Sequence, residues 1–250
     1  MVRKLLVSTA AALALSATMA WAQVPAPISA ALKDAARPAA DVSRDAARKP
    51  GELLAWAGVK PGDKVADLIM GGGYFTRILS AAVGPNGHVY AYQPAEFIQF
   101  QASYGESMRT VAGAYKNVTP LSTSLGVLDL PDGLDLVLTV QNYHDLHLRP
   151  FPSDTAQKVN AEVFKALKPG GAYVIVDHSA KAGAEVVEAA TGVHRIDPAV
   201  VRREVEAAGF RYEGELNILR ASADPLTANV FDPSIRGKTD QFAMKFRKPR

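Results

Sequence analysis

The chain has 250 residues, 48% of them hydrophobic, with 28 basic and 25 acidic side chains and a formal net charge of +3. That is enough for one sizeable α/β domain or two small ones, and it excludes a disordered chain. The absence of cysteine excludes a disulfide framework, a thiolate metal site and a cysteine nucleophile.

The chain opens with a basic head, MVRK, then the apolar run LLVSTAAALALSATM, then AWA before Gln23. This three-part pattern predicts a secretory signal peptide over residues 1–22, cut after Ala22, and so a periplasmic or secreted protein. The rival reading is an uncleaved anchor, because Leu5 to Ala22 carries no charge. The Ala-rich run and the cleavage pattern favour the signal, with no membrane span after cleavage. Taking Arg3 and Lys4 from the 28 basic residues leaves 26 against 25 acidic, a net of +1. No basic stripe suits a phosphate backbone, so no nucleic-acid partner is expected.

Residues 23–49 read as a linker and helical segment, helical again after Pro38, with Arg44, Asp45 and Arg48 closely spaced. Pro50 suits the first turn of the next helix, GELLAWAGV. From Lys64 strands and helices alternate. KVADLIM is a strand, YFTRILSAAV a helix and HVYAYQ a second strand; a helical region runs from about Glu96 to Tyr115. NVTPLST and LDLVLTVQ are strands three and four, and DTAQKVNAEVFKAL is a helix ended by KPGG. AYVIVDH is strand five, apolar on both faces as a strand covered on both sides should be. DPAVVRREVEAAGF is a helix capped by Asp197, and RYEGELNIL and DQFAMKFRK are closing strands with no helix between them. Strands separated by helices predict a doubly wound, mostly parallel α/β sheet with an antiparallel edge and N-terminal helices.

Strand one and its turn, VADLIMGGGYFTRIL, resemble motif I of class I S-adenosylmethionine (SAM)-dependent methyltransferases. LKPGG before a strand and AAGF before the closing strands fit the same family, and the resemblance spans about Pro50 to Lys248. NYHDLHL, VDHSA, HRIDP and FDPSIRGKTDQF resemble an exported bacterial branch of predicted methyltransferases. The resemblance implies a seven-stranded sheet over residues 50–250, with SAM as cofactor across the carboxyl ends of the strands; the leading expectation is a methyltransferase acting on a small molecule. The resemblance assigns cofactor binding to Asp67, Gly71, Gly72, Gly73, Gln93 and Glu96. The residues agree: glycines without Cβ admit a ligand close to the backbone, and the helix from Tyr74 presents its N-terminal amides. Asp67 can orient the loop or meet an ammonium group.

Two positions depart from the family. Ile69 stands where it usually has glycine. Gln93 stands where it has the acid that grips the ribose hydroxyls, a loss of about 1 kcal/mol or roughly fivefold in affinity; Glu96 could compensate. A dinucleotide fits less well, because Thr76 replaces the third glycine of that fingerprint and Gln93 its acid.

For chemistry, strand four runs into Tyr143, His144, Asp145 and His147, strand five into Asp177 and His178, and His194, Arg195 and Asp197 follow. His144 is the first candidate for a base that removes a proton during methyl transfer, and His178 the second. Tyr143 is expected to line the substrate pocket, and Asp145 or Asp177 to orient a histidine. Two histidines with carboxylates could also hold a divalent metal, but their spacing matches no standard motif, so no metal ligand is assigned. His88, at the opposite edge, has no role. The segment 231–242 could fold over the site or tie down the last strand. Two alternatives stand beside the methyltransferase: a non-catalytic protein holding another small ligand on the same fold, and a metal-dependent enzyme using the His/Asp rim.

Overall fold

The computed structural model describes residues 24–250; the expected signal peptide lies outside them. Four short helices come first: α1 (Ala26–Leu32), α2 (Ala39–Val42), α3 (Asp45–Arg48) and α4 (Pro50–Ala57). The alternating part follows as β1 (Lys64–Leu68), α5 (Tyr74–Val83), β2 (His88–Tyr92), α6 (Ala95–Phe100), α7 (Ser103–Ala114), β3 (Val118–Leu121), β4 (Leu134–Val140), α8 (Thr155–Ala166) and β5 (Leu167–His178). The chain closes with α9 (Val186–Val193), α10 (Pro198–Ala207), β6 (Arg211–Glu215) and β7 (Gln241–Arg247). Among the described residues no helix is long and apolar enough to cross a membrane.

The seven strands form one sheet in the order β3-β2-β1-β4-β5-β7-β6, parallel except for β7. Period-two side-chain direction divides the core between two faces. Leu136, Leu138, Val174 and Val176 pack with Leu53, Ile78 and Leu79 of α4 and α5. Val137, Tyr173 and Ile175 pack with Val159, Val163, Val201 and Val205 of α8 and α10. A strand buried on both faces must be apolar throughout, which is why β4 and β5 read as continuous hydrophobic runs.

Several boundaries differ from the sequence reading. The helical region 96–115 breaks at Gln101 into α6 and α7. KPGG is not a turn after α8: the chain passes from Ala166 directly into β5, and Gly170, at φ +79°, sits where the pairing with β4 shifts register. A glycine relieves the steric cost of that bulge. RYEGELNIL is half strand, its end a 3₁₀ turn at Asn217–Leu219. Helix α9 has no counterpart among the expected elements.

Candidate active site

The strand order reverses between β1 and β4, and in open α/β sheets ligands lie outside the carboxyl ends of the strands at that point. A cavity of about 950 Å³ opens there, the size of a typical small-ligand site. Its floor is the ends of β1 (Asp67, Ile69–Gly72), β4 (Val140–Asn142) and β5 (His178). Asn142 Nδ2 ties two of these ends together by donating to the Ile69 and Val140 carbonyls at 2.9 Å.

The β1 turn is built by opposing demands. Ile69 has φ +64°, a conformation strained for any β-branched residue. The chain thus keeps the left-handed bend of a glycine while Ile69 buries its side chain against the α8 face. Gly71, at φ +56°, and Gly72 both line the cavity, and a Cβ on either would meet nothing within 4 Å. Gly73 does not line it. At φ +80° a Cβ there would lie 2.6 Å from Val111 Cγ2, so this glycine serves packing under α7. Asp67 accepts a 2.6 Å bond from Thr76 Oγ1 and so holds the start of α5. Burial raises its carboxyl to about 6, against the opposing bond from Thr76 and the charge of Arg48.

Gln93 departs from its expected role. It is fully buried and absent from the cavity wall; its Oε1 accepts from the Gly71 amide at 2.8 Å. Its Nε2 is buried without a partner. The side chain therefore folds back under the glycine loop instead of reaching for a ligand. Glu96 does line the cavity, three residues on, with its carboxylate accepting from the Leu125 amide at 3.2 Å.

Tyr143 is also displaced from its expected place. It points to the α8–α10 side, donating to Glu204 at 2.9 Å and accepting from Asn160 at 2.7 Å, and it does not line the cavity. His147 joins it on Glu204 at 3.2 Å. His88 bonds Thr119 at the far edge.

His144, Asp145, His178 and His194 do converge on the cavity. Asp177, wholly buried, accepts from the His144 amide at 2.7 Å, from His144 Nδ1 at 2.9 Å and from the His178 amide at 2.7 Å. Burial pushes the Asp177 carboxyl up, but the His144 charge and these bonds outweigh it and leave the group below its ordinary range. Burial likewise pulls the His144 imidazole down, and Asp177 and Asp145 overcome it, setting it at about 9. His178 goes the other way. Its Nδ1 meets Thr239 Oγ1 at 2.8 Å. Burial takes it down to about 4, aided by the charges of His144 and Arg195 and opposed by Asp177. Asp177 and Asp145 thus favour the charged form of His144, while burial favours the neutral form of His178.

The roof comes from a segment the sequence marked only as helical. Asp41, Arg44 and Arg48 line the cavity from α2 and α3. Arg48 lies 4.4 Å over the Tyr74 ring and donates to Gln141 Oε1 at 2.9 Å. Its Nε is buried without a partner. Arg77–Asp41 at 2.9 Å and a bond from Tyr74 Oη to Asp45 at 2.5 Å lock these short helices onto the start of α5, and Arg37–Asp45 at 2.6 Å ties α3 to the loop before α2. Phe97, Phe100, Tyr104, Phe151 and Phe231 supply an aromatic wall. Nothing in the spacing of these residues signals the site.

No family model matches the chain, and a search of curated proteins finds no match. Solved structures do resemble it. A SAM-dependent methyltransferase from Aquifex aeolicus aligns at TM-score 0.59 and 21% identity, covering 87% of this chain and 97% of that one. A putative sarcosine dimethylglycine methyltransferase from Galdieria sulphuraria aligns at 0.57 and 18%, covering 91% and 92%. The [4+2]-cyclase SpnF aligns at 0.56 and 15%, covering 82% and 81%. At these identities the likeness establishes the fold: the chain has the seven-stranded architecture that these proteins share.

Proposed function

We propose that this protein is a SAM-dependent methyltransferase that acts on a small molecule and is exported after synthesis. The observation that carries the reading is the bare glycine turn at the sheet's reversal point, where Gly71 and Gly72 open onto a cavity floored by Asp67. The donor set suits SAM. The buried Asp67 carboxyl offers its charge to the methionine ammonium, and Glu96 offers a carboxylate to the ribose in place of the withdrawn Gln93. Arg44 and Arg48 offer cations to the methionine carboxylate, and Arg48 has a buried donor to satisfy. When bound, SAM supplies an electrophilic methyl group on a sulfonium.

The protein's own part is alignment and proton handling. The aromatic wall and the roof helices exclude water from one side. His144, fixed by Asp177, and His178 both face the cavity and are the residues placed to take up the proton of an attacking hydroxyl or amine. The neighbours named as methyltransferases support the reaction class, the cavity size supports a small substrate, and the N-terminal pattern supports export.

A second reading, a non-catalytic ligand-binding protein on the same scaffold, is favoured by Gln93 turning away from the cavity. Thermal unfolding with S-adenosylhomocysteine bears on the proposal. Ligand at about 100 times its Kd stabilises by about 2.7 kcal/mol, and Tm rises by roughly 5–10 °C for a chain of this size. An unmoved Tm at millimolar ligand supports the second reading.

A further inference from the structure

We propose that His144, Asp145 and His194 form a site for one divalent first-row transition metal ion at the inner end of the cavity. The three residues come from separate places. His144 and Asp145 lie in the 3₁₀ turn His144–His147 after β4, and His194 caps α9. One ligand atom from each falls within 4.8 Å of the others. His144 Nε2 lies 3.2 Å from Asp145 Oδ1. Ligand bonds of about 2.0–2.2 Å place adjacent donors roughly 3.0–3.4 Å apart, so this edge already has the spacing of a coordination shell.

Three features beyond proximity support a built site. The first is tautomer control. With Nδ1 hydrogen-bonded to Asp177 at 2.9 Å, His144 presents Nε2 to the cluster as its ligand nitrogen. Carboxylate–histidine pairs of this kind orient metal-ligating imidazoles and raise their basicity. The second is backbone strain at His194, which has φ +55°, a conformation uncommon outside glycine and concentrated at functional sites. That bend turns the imidazole onto His144, with ring centroids 5.5 Å apart at 84°, while Phe231 braces its other side at 4.9 Å. The third is charge: two carboxylates, Asp145 and the wholly buried Asp177, stand 3.2 Å and 2.9 Å from the His144 ring nitrogens.

Two imidazoles and one carboxylate select a transition metal over magnesium or calcium. Three protein donors leave coordination positions open toward the cavity, where an oxygen or nitrogen of a substrate can bind. That last role rests on the methyltransferase reading; the metal site does not, and it is measured without SAM.

The test uses the full chain after dialysis against a chelator. Co²⁺ uptake is followed by its visible absorption and Zn²⁺ uptake by calorimetry. One ion per chain with micromolar or tighter affinity is expected. His194→Gly removes a donor while suiting the left-handed backbone, and it and Asp145→Asn should each weaken binding at least 100-fold. Asp177→Asn should weaken it about 10–100-fold through loss of orientation. His147→Ala, outside the cluster on Glu204, should bind as the parent does. Circular dichroism confirms that each variant is folded. No saturable uptake at millimolar metal by the folded parent, or uptake unchanged in both His194→Gly and Asp145→Asn, overturns the proposal. SAM binding in metal-free protein separates its failure from failure of the cofactor reading.

Discussion

Replacing the three turn glycines one at a time separates the ligand-facing role of the turn from its packing role. Gly72 lacks a positive φ and has open space where its Cβ would go. Gly72→Leu should therefore change stability by no more than about 0.5 kcal/mol. Gly71→Leu also points into open space, but φ +56° costs an L-residue about 1–2 kcal/mol. For a chain of this length that is roughly 2–8 °C in Tm. Gly73→Ala carries the same backbone cost and adds the 2.6 Å overlap with Val111 Cγ2, worth a further 1–3 kcal/mol or so, for a total of about 2–5 kcal/mol. Ligand affinity should follow a different order. The leucine at 71 occupies the cavity floor and should lower SAM affinity by 100-fold or more; the leucine at 72, on the cavity's outer edge, should lower it less. The alanine at 73 stays off the cavity wall and should leave affinity within a few fold in folded protein. Urea denaturation gives the stabilities and equilibrium dialysis with labelled SAM the affinities. If Gly73→Ala abolishes binding while Gly71→Leu leaves it intact, the turn does not face the ligand as described.

Much of the fold is legible in the sequence because burial on both faces leaves a simple mark. β4 and β5 are near-continuous runs of branched apolar residues, and α8 and α10 repeat theirs at helical spacing. The elements that escaped had local sequences at odds with their context. Helix α9, VVEAATGV, is rich in β-branched residues and contains a glycine, so propensity argues against it; tertiary packing of Ala189 and Ala190 holds it. KPGG resembles a helix stop, yet neighbouring strands recruit it into β5. The site was legible where residues sit at strand ends, as at Asp67, Gly71, His144 and His178, since topology alone carries them to the cavity. It was illegible where side-chain direction decides. Position 93 reaches the strand end as expected, but the Gly71 amide captures its side chain. Tyr143 is next to His144 in sequence and faces the opposite side, onto Glu204. Asp41, Arg44 and Arg48 sit on helices of one turn, too short for any periodic signal.

Three further consequences can be checked. Asp67 titrates near 6 in the folded chain against an ordinary 3.8, so the folded state holds the proton more tightly than the unfolded one. The stabilising effect of the protonated group is complete below about pH 4 and is lost as pH rises to about 6, a change of about 3 kcal/mol. Urea denaturation of Asp67→Asn against the parent across pH 3.5–7 should isolate that slope, and parallel curves would refute it. Arg195 and Asp224 form a wholly buried ion pair at 2.8 Å that binds the segment before β7 to Ser179 at the end of β5. Arg195→Ala should cost about 3–5 kcal/mol by leaving the buried Asp224 carboxylate with no counter-charge and only the Leu226 and Asp240 amides as donors, and a loss under 1 kcal/mol by urea denaturation would show that the pair is not buried in solution. Expression in a bacterium with a general secretion pathway should yield periplasmic protein whose first residue is Gln23, and an intact Met1 in the cytoplasmic fraction would contradict export.

Calorimetric titration of SAM into the purified protein decides whether the glycine turn at the sheet's reversal point holds SAM. One site per chain is expected, with a Kd in the micromolar range or tighter and an affinity that increases as pH rises past 6, where Asp67 meets the ligand ammonium already ionised. No heat and no saturation at millimolar SAM would contradict this expectation, leaving the turn as a structural bend and the histidine cluster as the place where chemistry must be sought.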